Sequence, residues 1–351
     1  MAPEHASSPP AAVIFGLDGE TLTTGERQFF SEIRPFGYIL FARNISAPAQ
    51  VRSLVQDLRS LDPSHDPFIL IDQEGGGVQR LRPPHWRFAP AGGEFAALYR
   101  QNPETARRAL RLNMALIGRE LADLGIDVDC APVLDVPVPG AHDIIGDRAF
   151  GDTADMVADL GRAAADGLID AGVVPVIKHI PGHGRAKADS HLDLPIVDTE
   201  EAELFANDFK AFCEFLKPQD CPPVFAMTAH VIYSAIDPNA PATWSAKIVQ
   251  DVIRGRIGFQ GLLMSDDLSM KALTGPFDER AQRCFEAGCD IVLHCNGDPA
   301  EMSSVAKATV PLGERGLQAI GGMAALRRKP RGTIENVAAA EAQVVNWLRH
   351  G

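Results

Sequence analysis

The chain has 351 residues, 46% of them hydrophobic, and a formal charge of −13, so it can bury either one barrel-sized core or two ordinary ones. Its acids are spread along the sequence rather than gathered in a tail, which argues against nucleic acid and anionic membrane as partners. No apolar run approaches the roughly 20 residues that span a bilayer, and Met1-Ala2-Pro3-Glu4-His5 lacks a basic region, so the expected location is cytoplasmic.

Residues 1–10, with three prolines and two serines, read as a loose N-terminal tail, and 11–351 as a single domain. Short β-branched runs follow at 13–15, 38–41, 68–71 and 128–134. The second half continues with runs at 174–177, 224–227, 262–264 and 291–293. Between them, Ala106, Leu110, Met114, Ile117 and Leu121 recur at three- and four-residue spacing and predict a helix over 104–124. A second helix is expected over 154–171. A last one, over 336–348, should turn Val337, Ala340, Val344, Val345 and Leu348 toward the barrel exterior.

Eight strand and helix alternations within about 300 residues predict an α/β fold of the (β/α)8 TIM-type barrel class. The alternative is an open doubly wound sheet. Its phosphate signature is missing, because Gly16-Leu17-Asp18-Gly19 after the first strand is not G-x-G-x-x-G. The six cysteines, at 130, 213, 221, 284, 289 and 295, form no C-x-x-C pair, so neither a disulfide framework nor a thiolate zinc site is indicated. Cys130 and Cys295 fall in or beside strands, as small buried hydrophobes do.

Barrel enzymes draw their chemistry from the C-terminal ends of several strands. The fifth run ends in Lys178-His179-Ile180-Pro181-Gly182-His183-Gly184, followed by Asp189-Ser190-His191. Two glycines and two alanines leave this loop few anchors, which predicts a mobile segment. In an extended loop residues two apart point the same way, so Asp189 could fix the tautomer of His191 and leave its other nitrogen for proton transfer. The third run ends in Asp72-Gln73-Glu74-Gly75-Gly76-Gly77, then Arg80. The fourth leads to Asp135 and Gly146-Asp147-Arg148, the sixth to Thr228-Ala229-His230, and the seventh to Ser265-Asp266-Asp267.

Adjacent carboxylates behind an apolar run are costly to desolvate without a counter-charge, and Lys178 is the expected one. An ionised carboxylate on the rim can attack an electrophilic carbon while a loop histidine protonates the leaving group. That is double-displacement hydrolysis of a glycoside. Strand alternation sends one of Asp266 and Asp267 inward without saying which.

The motifs 72–76, 178–184, 189–191 and 265–270 together resemble those of glycoside hydrolase family 3 β-N-acetylglucosaminidases, most closely the single-domain bacterial enzymes of cell-wall recycling. Met227-Thr228-Ala229-His230 and Ala287-Gly288-Cys289-Asp290 are similar to further stretches of that family. The resemblance implies Asp266 as nucleophile, and Asp189 with His191 as an acid/base dyad. It implies Asp72, Arg80, Arg148, Lys178 and His179 as hydrogen-bonding partners of the sugar in the −1 subsite, with Asp267 in a supporting role. Gln73 and Gly77 depart from the family pattern, where histidine and arginine are frequent, and are expected to tune the loop.

The implied activity is that of a retaining exo-β-N-acetylglucosaminidase acting on a small glycan or muropeptide, GlcNAc linked to anhydro-N-acetylmuramic acid. It requires no cofactor and no metal. One rival is a phosphorylase of the same fold, since a neutral histidine tolerates an anionic nucleophile better than a carboxylate would. Another is a metal-dependent amidohydrolase-like barrel with His179, His183, His230 and Asp266 on zinc, although the first strand supplies no H-x-H pair. A third is a catalytically dead sugar-binding protein.

Overall fold

The computed structural model describes residues 8–190, 192–217, 223–327 and 334–351. Eight parallel strands close into a barrel: β1 (Ala11–Phe15), β2 (Pro35–Leu40), β3 (Phe68–Ile71), β4 (Val128–Asp129), β5 (Val174–Ile180), β6 (Phe225–Thr228), β7 (Leu263–Asp267) and β8 (Ile291–His294). Each pairs with its neighbour in chain order, and Val13↔Val292 in β1 and β8 shuts the ring. The closed ring replaces the open-sheet alternative.

These strands read as continuous apolar runs because both faces are buried. Alternation sends Ile14, Leu70, Val176, Met264 and Ile291 into the barrel and Val13, Ile69, Ile177 and Leu263 out against the helices. Inside the barrel Phe36 stacks on Phe68 with ring centroids 4.9 Å apart, and Phe225 meets Phe68 edge-on at 5.9 Å.

Two strand ends differ from the apolar pattern. The run 174–177 carries on as a strand through Lys178 and His179 to Ile180, and β7 includes Ser265, Asp266 and Asp267. The run 128–134 forms a regular strand only at Val128–Asp129. Pro132 has no N–H to offer, yet the backbone keeps company with β5: Val176 N–H donates to Ala131 O at 2.9 Å, and Leu134 N–H to Lys178 O at 2.7 Å.

The helix expected over 104–124 spans Pro103–Leu124, with Pro103 in its first turn, Asn102 accepting from Thr105 N–H, and Gly125 closing it at φ 81°. The second spans Ala154–Asp170. The last spans Val337–His350 and corrects the expected face: Val344 is buried and Ala340, Trp347 and Leu348 pack partly, whereas Val337 and Val345 are exposed. It rests on the helix layer, with Arg108 over the Trp347 ring, rather than on the barrel wall. Pro10 is buried, and its carbonyl accepts from Leu312 N–H at 2.8 Å. The remainder of the expected tail through residue 7, and Cys221, lie outside the described residues.

Candidate active site

A cavity of about 340 Å³ opens at the C-terminal ends of the strands. Asp72, Arg80, Arg148, Lys178, His179 and Asp266, six of the eight residues expected at the site, all line it. Of the other two, Asp189 lies half-buried on the loop after β5 and His191 lies outside the described residues.

Lys178 organises one wall. Its Nζ lies 2.8 Å from Asp72 Oδ1 and 2.6 Å from Glu74 Oε1, with the side chain only 3% exposed. Arg80 donates to the other Asp72 oxygen at 3.0 Å, and Arg148 grips Glu74 through two hydrogen bonds of 2.8 and 2.9 Å. Burial alone would push the Asp72 carboxyl up; the Lys178 ammonium and Arg80 guanidinium outweigh it and hold it well below the usual carboxylate range. For Glu74 burial is likewise outweighed, by Arg148 and Lys178, and the carboxyl sits at about 2. Lys178 therefore serves Asp72 and Glu74, and the expected pairing with Asp266 and Asp267 is replaced by this one.

The hairpin carrying Arg80, Gln73–Gly75 against Val78–Gln79, is pinned from within. Gln73 Oε1 accepts from Arg80 N–H at 2.8 Å and Leu81 N–H at 3.0 Å, and Gln73 N–H donates to Asp129 at 2.9 Å. Gly75 turns it at φ 103°, where a Cβ would lie 2.3 Å from the Pro90 carbonyl oxygen, so no other residue fits.

Asp135, not among the expected site residues, is completely buried behind His179. It accepts from His179 Nδ1 at 2.7 Å and from the backbone N–H groups of His179 and His183 at 3.2 and 2.6 Å. Burial would raise this carboxyl, but His179 and the His183 N–H hold it at about 2. An ionised carboxylate is only an acceptor, so Nδ1 of His179 carries a hydrogen. The end of the fourth apolar run marks Asp135, but no local spacing gives its partners, which lie 44 and 48 residues away.

On β7 the two carboxylates differ. Both oxygens of Asp267 are engaged by fixed donors: Oδ1 by Ser269 N–H at 2.9 Å and Cys295 N–H at 3.0 Å, and Oδ2 by the Ser269 hydroxyl. Both line the cavity, and Asp266 Oδ1 accepts from Asp267 N–H at 2.8 Å.

The loop after β5 is anchored at residues 184–186. A Cβ at Gly184 would lie 2.0 Å from the Val136 carbonyl oxygen, Val138 N–H donates to Gly184 O, and His142 N–H donates to Ala186 O at 2.8 Å. Arg185 pairs with Asp208 at 2.7 Å and Glu203 at 2.9 Å. Asp189 O accepts from Leu192 N–H and Asp193 N–H at 2.9 and 3.0 Å, the pattern of a tight turn rather than the expected extended stretch.

Each histidine named for the zinc rival has a partner within the chain. His230 meets Thr243 Oγ1 at 2.7 Å and the Asp267 carbonyl at 3.1 Å. His179 serves Asp135, and His183 Nε2 lies 3.0 Å from Ser190 Oγ. Among the described residues no group of three or more His, Cys, Asp or Glu side chains could hold a metal ion.

The glycosyl hydrolase family 3 N-terminal domain matches residues 28–320. The chain belongs to glycosyl hydrolase family 3. As a glycoside hydrolase of that family it is 42% identical over 288 residues to a β-hexosaminidase of Alkalilimnicola ehrlichii, covering 81% of this chain and 80% of that protein. A β-hexosaminidase of Methylococcus capsulatus is 40% identical over 292 residues, 83% of this chain and 84% of the other. Among solved structures, native NagZ from Neisseria gonorrhoeae superposes with a TM-score of 0.83 at 31% identity, covering 97% of this chain and 98% of that one. The same enzyme in complex with N-trifluoroacetyl-D-glucosamine gives 0.84 at 31% identity, with 97% and 99% covered. Family membership removes the amidohydrolase-like alternative.

Proposed function

We propose that this family 3 member is a retaining exo-β-N-acetylglucosaminidase that removes terminal GlcNAc from β-1,4-linked anhydro-muropeptides in the cytoplasm, as a step of peptidoglycan recycling. The sugar preference is supported by relatives that are β-hexosaminidases and by a similar enzyme that binds an N-acylated glucosamine. Among the described residues no helix is long and apolar enough to cross a membrane.

The observation that carries the mechanism is the division of labour on β7. Asp267 has both oxygens occupied by fixed donors, so its neighbour Asp266 is the carboxylate suited to attack. Asp266 forms a bond to the anomeric carbon as the glycosidic oxygen departs with a proton from His191, which Asp189 orients. His191 then takes a proton from water, whose oxygen displaces Asp266 and restores the β-configuration. Asp72, Arg80, Arg148, Lys178 and His179 hold the hydroxyl groups of the −1 sugar, and the pairing of Asp72 with Arg80 and Lys178, of Arg148 with Glu74 and of His179 with Asp135 fixes these donors and acceptors before substrate arrives.

Asp266→Asn tests the reading on p-nitrophenyl β-GlcNAc, beside the glucose analogue and with and without phosphate. Turnover should fall by roughly 10⁴-fold or more, the scale of nucleophile removal, and trapping by a 2-fluoro glycosyl donor should vanish. A fully active variant refutes the nucleophile assignment. Phosphate-dependent product release would convert the reading to phosphorolysis.

A further inference from the structure

The turn that carries Asp189 is tied back to the end of β5 by a side-chain bond. His183 Nε2 lies 3.0 Å from Ser190 Oγ, with the two residues 3% and 4% exposed. His183 is itself held from behind, its backbone N–H on Asp135 and the following Gly184 packed on the Val136 carbonyl. Ser190 is held a second time, its carbonyl accepting from Ala272 N–H at 3.3 Å. Burial, reinforced by the nearby His179, pushes His183 down to about 4, so the ring is neutral at working pH and carries one N–H.

His183 Nδ1 has no hydrogen-bond partner among the described residues. A buried N–H without a partner is rarer than a buried lone pair without one, which places the hydrogen on Nε2, donating to Ser190 Oγ.

We infer that His183 is a positioning residue: through Ser190, the residue between Asp189 and His191 in the sequence, it fixes the turn from which the proposed acid/base pair acts. The inference rests on the acid/base reading above. It gives a task to a histidine that the sugar does not need, and to a serine that has no part in proton transfer.

The test compares two substrates of the full-length enzyme. A 2,4-dinitrophenyl β-GlcNAc needs no protonation of its leaving group, whereas a GlcNAc disaccharide does. Ser190→Ala should lose roughly tenfold to a hundredfold in kcat/KM on the disaccharide, the scale of an ångström-size misplacement, with less than about threefold lost on the aryl substrate. His183→Leu should follow it, and His183→Gln, whose amide N–H can reach the same hydroxyl, should restore most of the disaccharide activity.

Equal losses on both substrates, or no loss on the disaccharide in Ser190→Ala, would overturn the inference. His191→Ala run in parallel separates the two layers of argument. If it loses both substrates equally, the acid/base reading fails. If it loses only the disaccharide while Ser190→Ala loses neither, the positioning role alone fails.

Discussion

Replacing Lys178 by methionine removes the ammonium that two buried carboxylates share, while its length and burial are nearly kept. In the wild type Nζ sits 2.8 Å from Asp72 and 2.6 Å from Glu74, with 3% of the side chain exposed. Breaking a buried ion pair by deleting one partner costs about 3–5 kcal/mol, because the surviving charge stays desolvated. Each carboxylate here retains an arginine, Arg80 on Asp72 and Arg148 on Glu74, so the expected loss at pH 7 is at the lower end, about 3 kcal/mol.

The pH dependence carries the sign. Glu74 at about 2 and Asp72 below its usual range are depressed in the folded state, so their stabilisation is present above the unfolded carboxyl values and is lost as pH falls through the folded ones. Without Lys178 both folded values rise toward ordinary, and acidification from about pH 5 to pH 2 then costs the variant less than the wild type. Urea-unfolding midpoints of the two proteins at pH 7 and pH 3.5 measure this. A variant that matches the wild type at pH 7, or whose deficit widens on acidification, would refute the reasoning.

Asp135→Asn keeps the size of the side chain behind His179 but removes the charge that fixes its tautomer; kcat/KM on p-nitrophenyl β-GlcNAc should fall by roughly 10³-fold, as with other carboxylates that orient a histidine, and a variant within threefold would refute the orienting role. Glu120 tests linkage with the opposite sign. Arg87 commits both terminal nitrogens to Asn113, leaving Nε 3.7 Å from Glu120, too far for a hydrogen bond, so burial dominates and raises the carboxyl from 4.5 to about 7. A raised acid favours folding fully below its unfolded value and loses that contribution as pH climbs through about 7. At about 1.4 kcal/mol per unit the term is worth about 3 kcal/mol, and Glu120→Gln should flatten thermal stability between pH 5 and 8; a slope unchanged by the substitution would count against it.

The barrel was legible because its strands are buried on both sides and so announce themselves as unbroken apolar runs between helices of 3.6-residue period. What those runs conceal is where a strand stops. Lys178 and His179 end the hydrophobic pattern of β5 but not its hydrogen bonding, and Ser265, Asp266 and Asp267 do the same on β7. Polarity marks the place where the barrel interior becomes a cavity, which is a boundary of solvent and substrate rather than of secondary structure. The charged residues that line the cavity could be found for the same reason, as polar groups at the ends of apolar runs. Glu74 and Asp135 stood out in the same way, but their partners did not, because Arg148 lies 74 residues from Glu74 and His179 lies 44 from Asp135. Proximity of that kind is produced by closing the ring and is written in no local spacing.

The cavity lining is mixed, and this bears on why so many charges surround a site proposed to bind a neutral sugar. Arg80, Arg148 and Lys178 pair with Asp72 and Glu74, and the same lining includes Met227, Met270, Leu293 and Cys295 together with Asp266 and Asp267. Neutral amides could hydrogen-bond a sugar equally well in number, but they would rotate. Ions locked to one another cannot reorient without breaking a buried pair, so their remaining donors and lone pairs keep fixed directions at no further cost when substrate binds.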